Sequence, residues 1–591
     1  GIRDRLRSLG SEMCIRDRNK RSEHCFFLLA IAVILFHFFV LRHETILKYD
    51  SDNKILTYGL RSLADAIILL LPYWILPAKY RRCIWIIIIL FTIWTLSQLW
   101  YFRTYNDLMP FSSFTLFSNI SPLLIKSIKA SIHTIDWSII ISIILLLISD
   151  YILFRRNENK WVKGKTKYLY IVSLITFVIL VHIANGSAFY MKGKGKVDNI
   201  WERYTNSNGY AYYFSINGLV ALGIYSIVET TWEAQELTEQ EITKIENYIE
   251  SHGNHYTDNS YSVPERKNLI LIIIESLNSW VINFKIDNIE ITPYLNQLCC
   301  QNNSIIALKV QPQVKDGRSS DAHFMYNTGI LPLRKGAVAM RYGKTSYPSL
   351  AKALRNYVTI EFICDDAKFW NQTVTASSYG FENLYDRNYI PHNGADVAKD
   401  GEMFQLATTV LKTTKQPFYA QLVTLSMHQP YDKPIVPATA ISQSNQYSAE
   451  IKNYLEAVHY CDSELEKFIR NLKEADLYDN SVIAIVSDHD EVDKNVIEHR
   501  KRVLPEDKEV ALIVLNTPYT IKYQGKLGQI DVYPTLLDIM GANHYLWKGI
   551  GQSIFRKNEN EQTNFDEMWD ISSLLITKGY FKDNNINEIP N

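Results

Sequence analysis

The hydrophobic pattern divides the chain into an apolar part and a later part with shorter apolar runs. Long apolar runs occupy the chain up to Ala184. A helix that crosses a bilayer needs about 20 mostly apolar residues. The pattern therefore predicts a multi-pass helical membrane domain with five spans, of which the second is short and contains Asp65 and Pro72. The predicted spans are Cys25–Leu41, Leu63–Ala78, Cys83–Tyr101, Trp137–Phe154 and Tyr168–Ala184.

After residue 264 the pattern changes to short apolar runs that alternate with amphipathic helical stretches. This alternation predicts an α/β domain with a mainly parallel central sheet. The clearest helix covers residues 449–472, and a second covers Asp531–Met540, where Pro534 is tolerated in the first turn. The predicted strands are Leu269–Ile274, Ile305–Val310, Val358–Ile363, Phe418–Leu425, Val482–Val486 and Ala511–Leu515.

The remaining segments complete the predicted domain organisation. Residues 1–18 repeat Ile-Arg-Asp-Arg without apolar periodicity, which predicts a non-native or disordered segment. The membrane domain is predicted over 19–186 and a juxtamembrane connector over 187–264, including a polar linker at His252–Ser262. The α/β domain is predicted over 265–560. Residues 561–591 form a polar tail that either caps the domain or is partly disordered.

Charge places the two parts relative to the membrane. The 62 Lys and Arg residues balance 62 Asp and Glu residues, and this zero formal charge argues against a general nucleic-acid binder. Positive charges lie before the first span, at 79–82 between spans two and three, and at 155–167 between spans four and five. With five spans these segments fall on one side, which the positive-inside rule identifies as the cytoplasm. Everything after Ala184 is therefore expected outside the cytoplasm.

Chemistry-bearing residues follow three of the predicted strands. Glu275 follows the first strand, His428 the fourth, and Asp488 and His489 the fifth. Open α/β sheets place their sites at the carboxyl ends of the strands. Carboxylate and imidazole groups gathered there could hold a divalent cation. Taken singly, Glu275 could be a helix cap and the Asp-His pair a solvated turn, but their coincidence at one edge favours a metal site.

A candidate nucleophile follows the second predicted strand. Gly317 permits a sharp turn before Ser319, and the following helix N-terminus would favour an oxyanion or a phosphate. A serine hydroxyl is a weak nucleophile unless a base or a metal lowers its pKa. A cation bound at the strand ends would meet that need. The alternative that Ser319 is a helix cap stays open at this point.

The order of these motifs resembles the lipoteichoic acid synthase family of the alkaline phosphatase/sulfatase superfamily. The resemblance rests on Glu275 at a strand end, the Gly-basic-Ser-Ser-Asp segment at 317–321, and the Asp-His pair at 488–489. Further matches are Phe369-Trp370-Asn371 and the stretch Ile530–Thr535. A five-span anchor followed by an outer domain also matches, so the resemblance covers roughly residues 20–560.

The resemblance implies a metal-dependent enzyme. Glu275, Asp488, His489 and Ser319 would bind a divalent ion, Mn²⁺ in the first place, with Mg²⁺ or Zn²⁺ as alternatives. Ser319, which stands where the family usually has threonine, would attack phosphorus. The family activity would be transfer of a phospholipid head group, phosphoglycerol or similar, through a covalent phospho-serine to a glycan or glycolipid acceptor. The implied location is the bacterial cytoplasmic membrane, with the catalytic domain outside.

The same resemblance identifies a substrate pocket and three departures from the family pattern. His428, Trp370 and Asp365 would line the pocket. Ile273 and Ile363 stand where family members that transfer glycerol phosphate have histidines, and Gln372 stands where they have arginine. The pattern therefore specifies the reaction type more closely than the substrate. The alternatives are a phosphodiesterase, phosphatase or sulfatase-like hydrolase with the same site, and a non-catalytic membrane scaffold.

Overall fold

The protein is described here from a computed structural model, in which two compact units are distinguished. The first comprises residues 1–113 with 131–231, and the second comprises 114–130 with 232–591. The structure describes residues 2–47, 55–105, 108–109, 111, 128–129, 131–154, 166–192, 210–232, 236–252, 256–263, 267–334, 336–391, 397–431, 434, 439–491, 493–503, 508–557 and 564–583.

The first unit is helical. Four of its described helices are long and apolar enough to cross a membrane, over Arg21–Thr45, Tyr58–Ile75, Tyr80–Arg103 and Asp136–Phe154. The fifth predicted span is also a helix, but its apolar stretch, Tyr168–Ala184, is shorter than these four, so a count of five stays a prediction. The α-helices of the unit are α1 (Ile2–Arg42), α2 (Ile55–Leu70), α3 (Pro72–Ile75), α4 (Ile84–Tyr105), α5 (Asp136–Phe154), α6 (Thr166–Lys192), α7 (Tyr210–Asn217) and α8 (Leu219–Trp232).

Two buried acidic side chains of this unit, Asp65 and Asp136, accept hydrogen bonds, which offsets the cost of burying them. The Asp65 carboxylate, which weakened the prediction of the second span, accepts the backbone N–H of Leu219 at 2.8 Å at the start of α8. Arg103 donates to Asp136 at 2.7 Å. Residues 2–18 belong to α1, and their interpretation as a non-native or disordered segment stays a prediction.

The second unit is built on one large, mainly parallel sheet. Its strand order is β10-β4-β9-β8-β1-β7-β5-β6, with β11 paired to β4, and β9 is antiparallel to both of its neighbours. All six predicted strands are present. The strands are β1 (Asn268–Ile274), β2 (Lys285–Ile286), β3 (Ile289–Glu290), β4 (Ser304–Gln311), β5 (Val358–Ile363), β6 (Asn383–Tyr385), β7 (Phe418–Val423), β8 (Ser481–Ser487), β9 (Val510–Leu515), β10 (Ile521–Tyr523) and β11 (Leu527–Gly528), where β2 and β3 form a separate hairpin.

Helices cover both faces of this sheet, which explains why its central strands read as continuous apolar runs. In β1, Leu269, Leu271 and Ile273 belong to one core, and the alternate residues belong to the other. The α-helices are α9 (Glu239–Ser251), α10 (Pro293–Leu298), α11 (Ser319–Thr328), α12 (Val338–Arg341), α13 (Leu350–Ala353), α14 (Gln372–Tyr379), α15 (Asp400–Thr413), α16 (Ala449–Glu474), α17 (Lys494–Val503), α18 (Val532–Met540), α19 (Phe565–Thr577) and α20 (Tyr580–Asp583).

Two segments outside the predicted α/β domain pack on it. The stretch expected to be a polar linker packs on the α/β domain over residues 256–263. Arg556 pairs with Asp258 there at 2.9 Å, and the Val263 amide donates to the Ile539 carbonyl at 2.8 Å. Its polar residues serve as hydrogen-bond partners rather than as solvated linker. In the tail, α19 buries Trp569 and Ile571 in the domain core, so this part caps the domain.

The register of four adjacent parallel strands determines where the site lies. Ile274 at the end of β1 pairs with Ser487 at the end of β8, and Ile273 pairs with Val423 at the end of β7. Val423 pairs in turn with Ile363 at the end of β5. The four strands therefore end level with one another, and the residues that follow them share one edge of the sheet.

Candidate active site

Three buried side chains meet where β1 and β8 end. One oxygen or nitrogen atom each from Glu275, Asp488 and His489 lies within 4.8 Å of the others. His489 Nε2 is 3.5 Å from Glu275 Oε1 and 3.5 Å from Asp488 Oδ2. The predicted strand-end residues are thus brought together, with the spacing that a single small cation could bridge. Their role as ligands stays a prediction.

Backbone groups hold the Asp488 carboxylate in one orientation. Its Oδ1 accepts the N–H of Ser276 and that of His489, both at 2.7 Å. Ser276 has a φ of 50°, a region that non-glycine residues rarely adopt and that clusters at functional sites. Asp488 Oδ2 is buried and has no hydrogen-bond partner among the described residues. A buried carboxylate oxygen of this kind is well suited to a metal ion.

The imidazole of His489 is also oriented for a metal. Its Nδ1 lies 2.7 Å from the carbonyl oxygen of Asp490. Because a carbonyl can only accept, Nδ1 carries the proton and the lone pair lies on Nε2. Nε2 is the nitrogen that faces Glu275 and Asp488. A backbone carbonyl behind the ring is the usual partner of a metal-binding histidine.

The electrostatics of the cluster fit a divalent cation. Burial, and then the neighbouring Asp488 carboxylate, raise the pKa of Glu275 well above its usual range. Two carboxylates so close together in a buried place are costly without a positive charge between them. Two carboxylates, one imidazole nitrogen and one hydroxyl form a donor set that Mn²⁺, Mg²⁺ or Zn²⁺ could accept. The residues present therefore fit the metal that the family resemblance implies.

Ser319 lies beside this cluster, at the first residue of α11. Its Oγ is 3.4 Å from Glu275 Oε2. The residue before the helix, in the capping position, is Arg318, with a φ of 46° and no side-chain cap. The alternative interpretation of Ser319 as a helix cap is therefore wrong. The hydroxyl is part-buried at a helix N-terminus, where a phosphoryl group is stabilised by the helix dipole.

A buried carboxyl group shapes the turn that presents Ser319. Asp321 Oδ2 accepts the backbone N–H groups of Lys315 at 2.9 Å and of Gly317 at 3.0 Å. A Cβ atom on Gly317 would lie 2.0 Å from Asp321 Oδ1. Glycine is thus required here for close packing. Burial raises the pKa of Asp321 to about 8.

The predicted pocket residues follow the next two strands along the edge. Asp365, after β5, is buried, and its Oδ2 has no hydrogen-bond partner in the part of the chain that the structure describes. Burial raises the pKa of Asp365 to about 6, opposed by the nearby charges of Arg387 and His428. His428, after β7, has its Nδ1 at 2.5 Å from the carbonyl of Gln429. Trp370 is part-buried with a φ of 50°.

The three departures from the family pattern have different settings. Ile273 and Ile363 are buried at 0% and 4% exposure, where a histidine would need a partner. Gln372 is buried too, and its amide Nε2 lies 2.8 Å from Nδ1 of His323 on α11. The arginine of the family pattern is thus replaced by an uncharged contact between α14 and α11. Burial lowers the pKa of His323 to about 4.

Several residues that support the site were not singled out by sequence reasoning. Thr424 Oγ1 accepts the N–H of Glu275 at 3.0 Å. Gln529 Nε2 donates to the carbonyl of Asp488 at 2.7 Å. Ser276 Oγ donates to Glu275 Oε1 at 2.8 Å. The only sequence signal available was that Ser276 adjoins Glu275 and that Gln529 adjoins the matched stretch 530–535.

Comparison with protein families decides the relationship. Residues 267–542 match the sulfatase family, and residues 12–235 match the lipoteichoic acid synthase N-terminal domain. The chain thus combines a segment that matches the lipoteichoic acid synthase N-terminal domain with a segment that matches the sulfatase family. The family resemblance stated from the sequence motifs is thereby confirmed, and the two matches correspond to the apolar part and the α/β part of the chain.

Relatives extend over nearly the whole chain. The lipoteichoic acid synthase of Staphylococcus aureus is 28% identical over 596 residues, covering 95% of this chain and 88% of that protein. The lipoteichoic acid synthase of Staphylococcus saprophyticus is 27% identical over 585 residues, covering 92% and 87%. The fold is shared with the integral membrane lipooligosaccharide phosphoethanolamine transferase A of Neisseria meningitidis, at a TM-score of 0.51, 11% identity, and coverage of 88% and 95%. Both proteins from Staphylococcus are enzymes by name, so this chain belongs to a group of enzymes.

Proposed function

We propose that this protein transfers a phospholipid head group, phosphoglycerol or a similar group, to a glycan or glycolipid acceptor. The single observation that supports this most is the juxtaposition of Ser319 with the Glu275, Asp488 and His489 cluster, at 3.4 Å from Glu275 Oε2. A hydroxyl at a helix N-terminus and beside a cation site is set up to attack phosphorus. The lipoteichoic acid synthase relatives support this reaction type over a non-catalytic scaffold.

In the first step Ser319 Oγ attacks the phosphorus of the membrane lipid. The Oγ–P bond forms and the bond from phosphorus to the diacylglycerol oxygen breaks. The hydroxyl proton of Ser319 is lost and one proton is gained by the departing oxygen, so that diacylglycerol leaves as an alcohol. His428 is our candidate for that proton transfer, because it follows β7 at the same edge of the sheet as Ser319 and Glu275, and the Gln429 carbonyl, 2.5 Å from its Nδ1, orients the ring.

In the second step an acceptor hydroxyl attacks the phospho-serine. The new acceptor O–P bond forms, the Oγ–P bond breaks, and Ser319 regains a proton. The acceptor would be a glycan or a glycolipid. If water takes its place, the same site acts as a phosphodiesterase.

A divalent ion held by Glu275, Asp488, His489 and Ser319, Mn²⁺ in our assignment, would supply a lowered pKa at the serine hydroxyl and positive charge beside the phosphoryl oxygens. The chain's own contribution is orientation. Ser276 and the His489 amide fix Asp488, and Thr424 fixes the backbone at Glu275. Asp365 and Trp370 are assigned to the head group and line the side of the edge that follows β5.

The location follows from the same relatives and from the apolar helices. We place the protein in the bacterial cytoplasmic membrane, with the α/β unit outside the cytoplasm as the positive charges at 79–82 and 155–167 indicate. A phospholipid donor and a glycolipid acceptor would then be available at the same membrane surface. Protease treatment of intact cells should cleave the α/β unit, and protection until lysis would contradict this orientation.

The proposed activity is tested with the full-length chain in phosphatidylglycerol vesicles containing Mn²⁺. The wild type should release diacylglycerol, and Ser319→Ala should reduce the release roughly 10⁴-fold or more. Ser320→Ala is the matched control, since its hydroxyl bonds the Gly317 carbonyl at 2.7 Å and does not face the cluster. Equal release by wild type and Ser319→Ala would refute the assignment. Release of free glycerol phosphate without an acceptor product would identify a hydrolase.

A further inference from the structure

Ser319, His323 and Asn327 form a stripe along α11, because residues four apart lie on one face of a helix. The first of them contacts Glu275 at the edge of the sheet. The last donates to Gln421 in the middle of β7, at 2.8 Å. The stripe therefore faces the sheet, and His323 lies between the strand-end cluster and the interior of the domain.

The His323 ring has one nitrogen engaged and one without a partner. The Gln372 amide lies 2.8 Å from Nδ1, with Nε2 of the amide as the near atom. Thr375 Oγ1 donates to the other end of that amide, Oε1, at 3.3 Å, which is consistent with this orientation. An amide N–H donates, so Nδ1 accepts and the ring proton lies on Nε2.

That Nε2–H is a buried donor in need of an acceptor. His323 is 3% exposed, and its Nε2 has no hydrogen-bond partner among the residues described. The Asp488 carboxylate opposes the lowering of the His323 pKa by burial. A buried donor left without a partner is costly and calls for a ligand or a water that completes it. The free side of the ring is the side turned away from Gln372.

We propose that His323 Nε2–H donates a hydrogen bond to an oxygen of the phosphoryl group held beside Ser319. Gln372 is the positioning residue that keeps the ring neutral with the proton on Nε2. This inference rests on the proposed phosphoryl transfer at Ser319 and adds a substrate contact to it. Gln372 stands where the family pattern has an arginine. The uncharged pair of Gln372 and His323 would therefore bind this side of the phosphoryl group without a positive charge.

The inference is tested by replacing the donor in two ways in the full-length chain. His323→Gln keeps an amide donor near the position of Nε2, whereas His323→Leu removes it. Two quantities are measured on each Mn²⁺-loaded protein: the rate of Ser319 adduct formation from phosphatidylglycerol, and the binding of inorganic phosphate by calorimetry. We expect His323→Leu to lower both about 10- to 100-fold, and His323→Gln to keep both within about 3-fold of wild type.

Gln372→Glu provides a second test that does not remove the ring. A carboxylate can only accept, so it would draw the proton to Nδ1 and leave a lone pair on Nε2. We expect the same loss of adduct rate and phosphate binding as in His323→Leu. In the double variant His323→Leu, Gln372→Glu, the second change should add little, because the proton that it moves is no longer there.

The outcomes separate this inference from the proposed function. If wild type forms the adduct and His323→Leu matches His323→Gln in both measurements, the contact is refuted while the transfer stands. If no protein forms an adduct but His323→Leu still binds phosphate more weakly than His323→Gln, the contact to the phosphoryl group stands and the transfer reaction is refuted. Loss of bound Mn²⁺ in His323→Leu, with an unchanged unfolding midpoint, would make His323 a metal ligand and overturn the inference. Equal loss in the two variants would make the residue structural.

Discussion

The two halves of the candidate site differ in how tightly the fold holds them. On the β1 and β8 side, Asp488 accepts two backbone N–H groups and His489 is bonded to a carbonyl. On the β5 side, the Asp365 carboxyl accepts one backbone N–H, that of the adjacent Asp366, at 2.7 Å. The first side has one departure from the family pattern, Ile273 on β1, and the second side has two, Ile363 and Gln372. Under the proposed function, the strand ends of β1 and β8 would carry the chemistry and the segments that follow β5 would select the substrate.

The largest effect is expected from the tightly held side. Asp488→Asn keeps the shape and the Oδ1 acceptor but removes the charge and one cation ligand. We expect diacylglycerol release to fall roughly 1000-fold or more, with loss of bound Mn²⁺ measured by elemental analysis. Asp490→Asn is the control, because Asp490 pairs with Lys508 at 2.5 Å rather than with the cluster. Retained metal in Asp488→Asn would contradict the assignment of this side.

The turn that presents the nucleophile comes next. Gly317→Ala places a Cβ atom 2.0 Å from Asp321 Oδ1, so that the turn must shift. We expect about a 100-fold loss of diacylglycerol release, since displacements of about 1 Å at a reacting group cost that much. Gly59→Ala is a matched control, because nothing lies within 4 Å of the added Cβ there. Full activity of Gly317→Ala would show that this turn does not position Ser319.

The β5 side also carries a buried carboxyl whose ionisation affects folding. Burial raises the pKa of Glu361 from 4.5 to about 7. The protonated native form is therefore favoured, and its stabilisation is complete below pH 4.5 and lost as the pH rises through 7. The loss amounts to about 3 kcal/mol at most. Glu361→Gln should remove this dependence, as judged from unfolding midpoints at pH 5 and pH 8. An equal pH dependence in both proteins would contradict the shift.

The smallest effect is expected from the pocket wall. Trp370→Ala should raise the KM for the phospholipid about 10-fold, with a smaller change in kcat, because it removes a packing surface for the head group and no reacting group. Trp370→Phe should retain most of the affinity. If Trp370→Ala instead lost bound metal, the two sides of the site would not be independent, and the comparison above would fail.

Much of the fold could be predicted because apolar runs report burial. All six predicted strands exist, yet the five short strands β2, β3, β6, β10 and β11 were missed, since their two or three residues leave no periodic pattern. The antiparallel direction of β9 was not predictable either, because an apolar run such as Val510–Leu515 carries no signal of strand direction. The second span was the least certain prediction because it contains Asp65. In the structure, the Asp65 carboxylate accepts the backbone N–H of Leu219 at the start of α8.

The site was predictable as far as strand ends determine it. Glu275, Asp488 and His489 follow level strands, so their meeting followed from the topology. The supporting contacts did not follow, because Gln529 and Thr424 reach the cluster only through tertiary packing. The contact between His323 on α11 and Gln372 on α14 joins residues that are 49 positions apart in the sequence, so no local sequence pattern predicts it.

The central claim is that Ser319 becomes covalently phosphorylated. The most direct test is mass spectrometry of the full-length chain after incubation with phosphatidylglycerol and Mn²⁺, followed by peptide mapping. The account predicts a phosphoglycerol adduct on Ser319 that is absent in Ser319→Ala and that disappears when a glycolipid acceptor is added. Diacylglycerol release at full rate with no adduct on Ser319, even after rapid acid quenching, would contradict it.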